Sequence, residues 1–282
     1  ISTYLPVSIA KSLRHESIGL SQRFMKKFIQ LIVLTMFMQA AVAQDVIPGR
    51  SAFGIGAYYA KGDFGQDSET TIRYVPATLE HDNGRWGLQL LVPRLEVEGP
   101  GTVLLNLGGI SRAIASDEIT VEQGLGDAVA SLIYHFDPLP DRQTFVDLRL
   151  DVKLPTADEA KALGTGQADY SLQVDISRQQ GAMTYFATAG YTYRGNSSVF
   201  QELRNGEFVQ LGLAYPLSQR VSVGAIYDYR AAPAAFSDEI HELLPYAAFQ
   251  LNENWSFSTV ITTGFTDASA DFSLLGQLRY SW

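Results

Sequence analysis

Apolar and polar side chains alternate along most of this chain with a period of two. In 143–154, Thr144, Val146, Leu148, Leu150, Val152 and Leu154 fall on one face, and Gln143, Phe145, Asp147, Arg149, Asp151 and Lys153 on the other. Successive strand side chains point to opposite faces, so this is a strand with one oily and one charged side. A helix would mix the two classes around its circumference. Tyr170, Leu172, Val174 and Ile176 alternate likewise with Asp169, Ser171, Gln173 and Asp175. Val221, Val223, Ala225, Tyr227 and Tyr229 alternate with Ser222, Gly224, Ile226, Asp228 and Arg230. The last block sets Phe272, Leu274, Gly276, Leu278, Tyr280 and Trp282 against Ser273, Leu275, Gln277, Arg279 and Ser281.

The pattern predicts twelve strands: 51–61, 68–81, 84–97, 125–136, 143–154, 167–178, 182–193, 206–216, 221–230, 241–251, 255–264 and 271–281. Short connections (82–83, 137–142, 179–181, 217–220, 252–254) alternate with longer ones (62–67, 98–124, 155–166, 194–205, 231–240, 265–270). Asn83-Gly84 is a good tight-turn pair. Short turns at one end and long loops at the other describe an antiparallel up-and-down barrel of the outer-membrane kind, with both termini on the short-turn side. A soluble barrel alternates too, but with its oily face inward. Three features favour the membrane. Blocks near ten residues suit a tilted crossing of the hydrocarbon layer. Aromatics collect near block ends, where interfacial girdles belong: Tyr74, Trp86, Tyr134, Tyr191, Tyr193, Tyr215, Tyr227, Tyr229, Trp255, Tyr280 and Trp282. The sequence closes on Tyr280 and Trp282. Outer-membrane barrels end this way, and the barrel-assembly machinery that reads such ends is an expected partner. Gly276 sits one position from the usual glycine of that signal.

The first 43 residues do not share the pattern. Met25 is followed by Lys26 and Lys27, an uncharged apolar stretch from Phe28 to Met38, and Ala41-Val42-Ala43. These are the three parts of a secretory signal, with Gln44 opening the exported chain. The stretch is too short for a membrane anchor, which needs about 20 residues. Residues 1–24 are expected to be an upstream extension outside the fold. Residues 44–282 carry 16 basic and 29 acidic side chains, a net charge of −13. A nucleic-acid partner therefore has no general attraction to this surface. With 46% hydrophobic, 18% charged and no cysteine residues, disorder, disulfide scaffolds and cysteine chemistry are excluded.

Order and spacing of several short motifs carry a family resemblance. Gly124-Leu-Gly-Asp127 opens a strand and Val152-Lys-Leu-Pro-Thr156 closes a later one. Leu163-Gly-Thr-Gly166 precedes Asp169-Tyr170, and Gly190-Tyr-Thr-Tyr-Arg-Gly195 ends the following hairpin. Arg73-Tyr-Val-Pro76, Trp86 and Leu91-Val-Pro93 lie upstream in the expected order. The chain resembles the outer-membrane transporter family associated with the meta pathway of phenol degradation. One departure is Ala157, where that family tends to have glycine. The resemblance implies an outer-membrane barrel that passes small hydrophobic or aromatic molecules.

A spanning sheet must close, because lipid offers its edges no hydrogen bonds. The lumen is then expected to be lined by Asp147, Arg149, Asp151, Lys153, Asp169, Asp175, Asp228, Arg230 and Arg279. Such charges serve equally as the walls of a conduit or as the filling of a blocked interior. The lipid-facing girdle is expected to comprise Trp86, Tyr191, Tyr193, Tyr215, Tyr229, Trp255, Tyr280 and Trp282. The long segment 98–124, apolar at Thr102–Gly108, is expected to fold over or into the mouth and constrict it; the alternative is an extra hairpin making fourteen strands. Acidic loops could hold divalent cations near lipopolysaccharide, but Asp63, Asp67, Glu69, Asp158 and Glu159 form no calcium-loop spacing. No cofactor or metal is expected. Of the four histidines, His15 lies in the leader, His81 and His135 at turn ends and His241 near a loop end. No Ser/His spacing marks a lipolytic barrel, so an enzyme is not expected. The leading function is solute passage across the bacterial outer membrane. A structural or adhesive barrel with a filled lumen is the second reading and an outer-membrane lipolytic enzyme the third.

Overall fold

The computed structural model describes residues 49–64, 69–106, 109–141, 143–197, 203–234 and 237–282, with the backbone course alone for 100–106 and 109–118. The leader and the extension before it lie outside the described residues. The chain forms β1 (Arg50–Gly62), β2 (Thr70–Asp82), β3 (Trp86–Asn106), β4 (Gly109–Leu125), β5 (Ala128–His135), β6 (Thr144–Leu154), β7 (Asp169–Gln180), β8 (Met183–Tyr193), β9 (Gly206–Pro216), β10 (Val221–Arg230), β11 (Ile240–Gln250), β12 (Trp255–Gly264) and β13 (Phe272–Ser281). Every neighbouring pair is antiparallel. β1 closes on β13, from Ala52↔Ser281 to Lys61↔Phe272.

Thirteen segments make twelve staves. The first part of β3 pairs with β5 (Trp86↔Tyr134 to Leu91↔Val129) and the rest with β4 (Arg94↔Leu125 onward). β4 and β5 are thus one stave interrupted at Gly126–Asp127, where the Gly126 amide still donates to the Pro93 carbonyl at 3.0 Å. The segment 98–124 is therefore neither an irregular loop nor an extra pair of staves. It continues β3 and β4 as a two-stranded ribbon past Thr71↔Glu98, where the pairing with β2 stops. The ladder supplies the ribbon's backbone hydrogen bonds, which an open loop would have to find elsewhere.

The faces divide as lipid requires. On β7, Leu172 is 49% exposed and its neighbour Gln173 1%. Leu88, Leu90 and Val92 on β3, Phe53 and Ile55 on β1, and Ile261 on β12 are also exposed. Around the whole circumference this is far more apolar surface than a water-soluble exterior carries, and it is the normal exterior of a barrel in hydrocarbon. Charges return to the outer face at the two rims. At the loop end Arg73 pairs with Glu96 and Glu98, and Lys61 with Glu69 at 2.7 Å. At the turn end Arg178 pairs with Asp141 at 3.4 Å.

Aromatic contacts follow the rims. Trp86 packs on Tyr134, and Tyr134 on Phe136. Trp255 packs on Tyr280, which stacks on Trp282. All belong to the turn end, as does exposed Tyr215; Tyr191, Tyr193 and Tyr229 belong to the loop end. Tyr74 is a correction. It is 2% exposed and meets Tyr58 edge-on inside the barrel at 6.4 Å.

Turn chemistry sets the short end. Gly84 takes φ 98° and Gly181 φ 63°, the left-handed region that glycine tolerates. The Asn83 side chain accepts from the amides of Arg85 and Trp86. In the turn before β6, Asp141 accepts from the Gln143 and Thr144 amides and the Thr144 hydroxyl. These bonds, the Gln143 amide foremost, hold its carboxyl below the usual carboxylate range.

Candidate functional site: the barrel interior

Period two sends every second side chain inward, and across the strands those side chains meet in storeys. At the turn end, β2, β5 and β6 bring Asp82, His135 and Asp147 together. His135 Nδ1 lies 2.8 Å from Asp147 Oδ1, and Nε2 lies 2.8 Å from Asp82 Oδ2. Carboxylates only accept, so the geometry is satisfied fully by an imidazolium donating from both nitrogens.

Above this bridge a hydrogen-bonded ladder crosses six staves. Arg149 on β6 donates from Nε to Asp151 (2.8 Å) and from Nη2 to Gln89 (2.7 Å) and Ser131 (2.8 Å). Gln89 donates to Glu80 at 3.3 Å. Arg279 on β13 reaches Glu80 at 2.8 Å and Ser281 at 2.8 Å. Its guanidinium must pass over β1 to do so, and the residue opposite it there is Gly54. A Cβ at Gly54 would sit 2.5 Å from Thr78 Oγ1, so no side chain fits under that crossing.

Two carboxylate pairs face each other across adjacent strands: Asp147 opposite Asp175, and Asp228 opposite Glu242. Like charges directly opposite destabilise a sheet. Asp175 is compensated by Thr188 (2.6 Å) and the Gln173 amide (2.9 Å). Asp228 is compensated by Arg230 (2.6 Å) and Gln210 (2.8 Å).

At the loop end the segment 155–168 turns back into the mouth. Asp158 caps a single 3-10 turn, Glu159–Lys161, and Leu163, Gly164 and Thr165 then become buried. Lys153, with no exposure, lies 2.8 Å from Asp169 and 3.2 Å from Asp127, and donates to Thr165 Oγ1 at 2.7 Å. Asp127 accepts from the Ala157 amide, and Thr156 Oγ1 from the Ala128 amide. Asp169 accepts from the Gly195 amide. The motifs that carry the family resemblance, distant in sequence, thus converge on one latch: 124–127, 152–156, 163–166, 169–170 and 190–195. Ala157 sits against Gly164, where only a small side chain fits. The tongue that fills the mouth is 155–168, not the ribbon of β3 and β4.

Among the other inward positions, serine, threonine and glutamine side chains such as Ser171, Thr188, Ser258 and Gln277 alternate with an apolar group. Tyr58, Tyr74, Leu95, Phe186, Ile226 and Leu244 belong to one buried cluster that continues to Leu163 on the tongue. With Tyr58 at 8% exposure and the rest lower, this part of the interior is packed rather than water-filled. Asp147, Arg149, Asp151, Lys153, Asp169, Asp175, Asp228, Arg230 and Arg279 all lie on the inward-facing side of their strands. Sequence reasoning passed over Glu80, Asp82, Asp127, His135 and Glu242. Their partners come from other strands, and no local spacing announces them. Among the described residues no three His, Asp or Glu side chains are grouped to hold a metal ion.

The fold is similar to that of the COG4313 outer membrane channel from Pseudomonas putida F1, with TM-score 0.65 and 14% identity over 83% of this chain and 96% of that one. It is also similar to the NanC porin, with TM-score 0.52 and 9% identity over 81% and 98%. The KdgM porin gives TM-score 0.50 and 9% identity over 81% and 99%. No curated protein sequence matches the chain. The closed wall and its lipid-facing exterior are those of the bacterial outer membrane. Residues 38–282 match the family described as "Putative MetA-pathway of phenol degradation", and the chain belongs to that family.

Proposed function

We propose that this barrel passes small molecules, hydrophobic or aromatic ones foremost, across the outer membrane. The carrying observation is the interior: an apolar cluster that includes Tyr58, Tyr74 and Phe186 runs beside a charged ladder inside a closed wall. An aromatic ring has apolar surface to follow and a polar substituent has partners. On this reading the latched tongue is the closed state of a gated path, and the nine charged residues from Asp147 to Arg279 named above line that path once it opens. Lipopolysaccharide at the charged loop-end rim and the assembly machinery at the β13 end belong to the same reading.

The packing of the interior favours one alternative, a structural barrel whose lumen stays filled. Reconstitution separates the two. Purified protein in liposomes should admit aromatic and small polar solutes faster than empty liposomes do; equal rates would remove the passage reading. A lipolytic role draws no support from His241. Its Nδ1 meets the Tyr227 hydroxyl at 2.6 Å, and Ser269 reaches only its backbone carbonyl.

A further inference from the structure

Four of the interior's basic groups share one arrangement. His135 stands between Asp82 and Asp147. Lys153 stands between Asp127 and Asp169. Arg230 holds Asp228, and Glu242 lies directly opposite that aspartate. Arg149 holds Asp151, and the residue opposite Arg149 is Gln173, whose amide reaches a second carboxylate, Asp175. Four basic centres thus have two carboxylates each. Arg279 with Glu80 is matched one to one, Arg50 at the turn-end rim lies opposite Asp82 and donates to the Glu253 carbonyl, and Arg194 at the loop end donates to the Arg204 carbonyl.

A wall in which carboxylates outnumber the basic groups carries a negative field along its length. Low-dielectric surroundings focus that field and concentrate counter-ions. The like-charged pairs Asp147/Asp175 and Asp228/Glu242 cost stability, and a merely structural filling would be better served by one acid per base or by apolar side chains. We infer that the interior selects by charge: it admits cations and neutral molecules and turns away anions, aromatic carboxylates among them. This rests on the passage reading above and narrows its substrate class.

The test uses the purified full barrel in planar bilayers under a KCl gradient. The reversal potential should report potassium preferred over chloride by about tenfold, the lower end of what a focused field supplies. In liposomes, benzyltrimethylammonium should enter faster than benzoate, two ions of similar size and opposite charge. Asp175→Asn, and Asp228→Asn combined with Glu242→Gln, should each move the reversal potential towards zero selectivity, with folding verified by heat-dependent gel mobility. Chloride preference, an unselective current or faster benzoate entry would overturn the inference and leave passage standing. No current and no flux above empty bilayers would remove both. The wild-type measurement decides even where a variant fails to fold.

Discussion

The backbone of Gly164 lies so close to the Asp127 carboxylate that a Cβ there would sit 2.7 Å from both of its oxygens. With the Ala157 amide on Asp127 and the Thr156 hydroxyl on the Gly126 carbonyl, this contact joins the tongue of 155–168 to the break between β4 and β5. The tongue enters the mouth only because its tip has no side chain at that point. Gly164→Val should therefore lift the tip and expose Leu163. Limited proteolysis from the outer face, with cleavage between Pro155 and Asp169, reads this directly. An unchanged digestion pattern would mean that the tongue adapts.

Lys153 is the fully buried cation of the latch. Replacing it with alanine leaves Asp127 and Asp169 buried side by side without their counter-charge. Removing one partner of a buried pair costs about 3–5 kcal/mol. Urea unfolding of the refolded barrel in lipid vesicles should show a loss of that order. Replacing Lys153 and both aspartates together with uncharged residues should recover much of it.

The imidazole bridge gives a second coupled set. His135→Phe removes the bridge from Asp82, which keeps the Gly84 amide, and from Asp147, already opposite Asp175. An expected cost of about 1–3 kcal/mol follows from leaving part-buried carboxylate oxygens without their donor. In a double-mutant cycle, Asp147→Asn should cost less in the His135→Phe background than alone. Additive effects would show that the two side chains are not coupled.

The inside-out arrangement can be tested at two adjacent positions of β7. Val174 faces outward and Gln173 inward. Val174→Arg puts a charge near the middle of the lipid face, with an expected loss of about 2–4 kcal/mol. Gln173→Lys on the inner face should cost less, because the Asp175 carboxylate accepts from that side chain. Urea titrations in vesicles compare the two.

Asp141 offers a pH test outside the membrane band. Its carboxyl is held below the usual range, so its contribution is present at neutral pH and is lost as pH falls through its folded-state value. Protection of the Gln143 and Thr144 amides, taken relative to the intrinsic exchange rate at each pH, should fall on acidification, and Asp141→Ala should abolish that dependence.

The staves, their faces and the closed barrel were legible because alternation is a local property of each strand. Lys153, Asp169 and Arg279 could be assigned to the inner face from their parity alone. The apolar cluster could not. β11 carries Leu243 and Leu244 side by side, one outside and one inside, and there alternation fades. Tyr74 was misassigned for the same reason: a tyrosine near a strand end suits a girdle or a core. The segment from 98 onward reads as a connection, although pairing with β4 carries the strand on past Gly99 and Pro100. The partners of His135 and Glu80 lie on other strands, far along the chain, and only closure brings them together. The tongue, rich in glycine and alanine, carries no mark that its tip is buried.

Closure has a consequence for how the molecule is made. The seam joins the first stave to the last, so the cylinder cannot be completed until the final residues have emerged. Until then both seam strands offer bare amides and carbonyls along their length, in a chain whose outer half is oily. Ring closure over nearly the whole polymer is entropically slow, and an unsealed sheet of this kind aggregates readily. Only when those two rims meet does the finished wall lose the edge that the nascent chain carries.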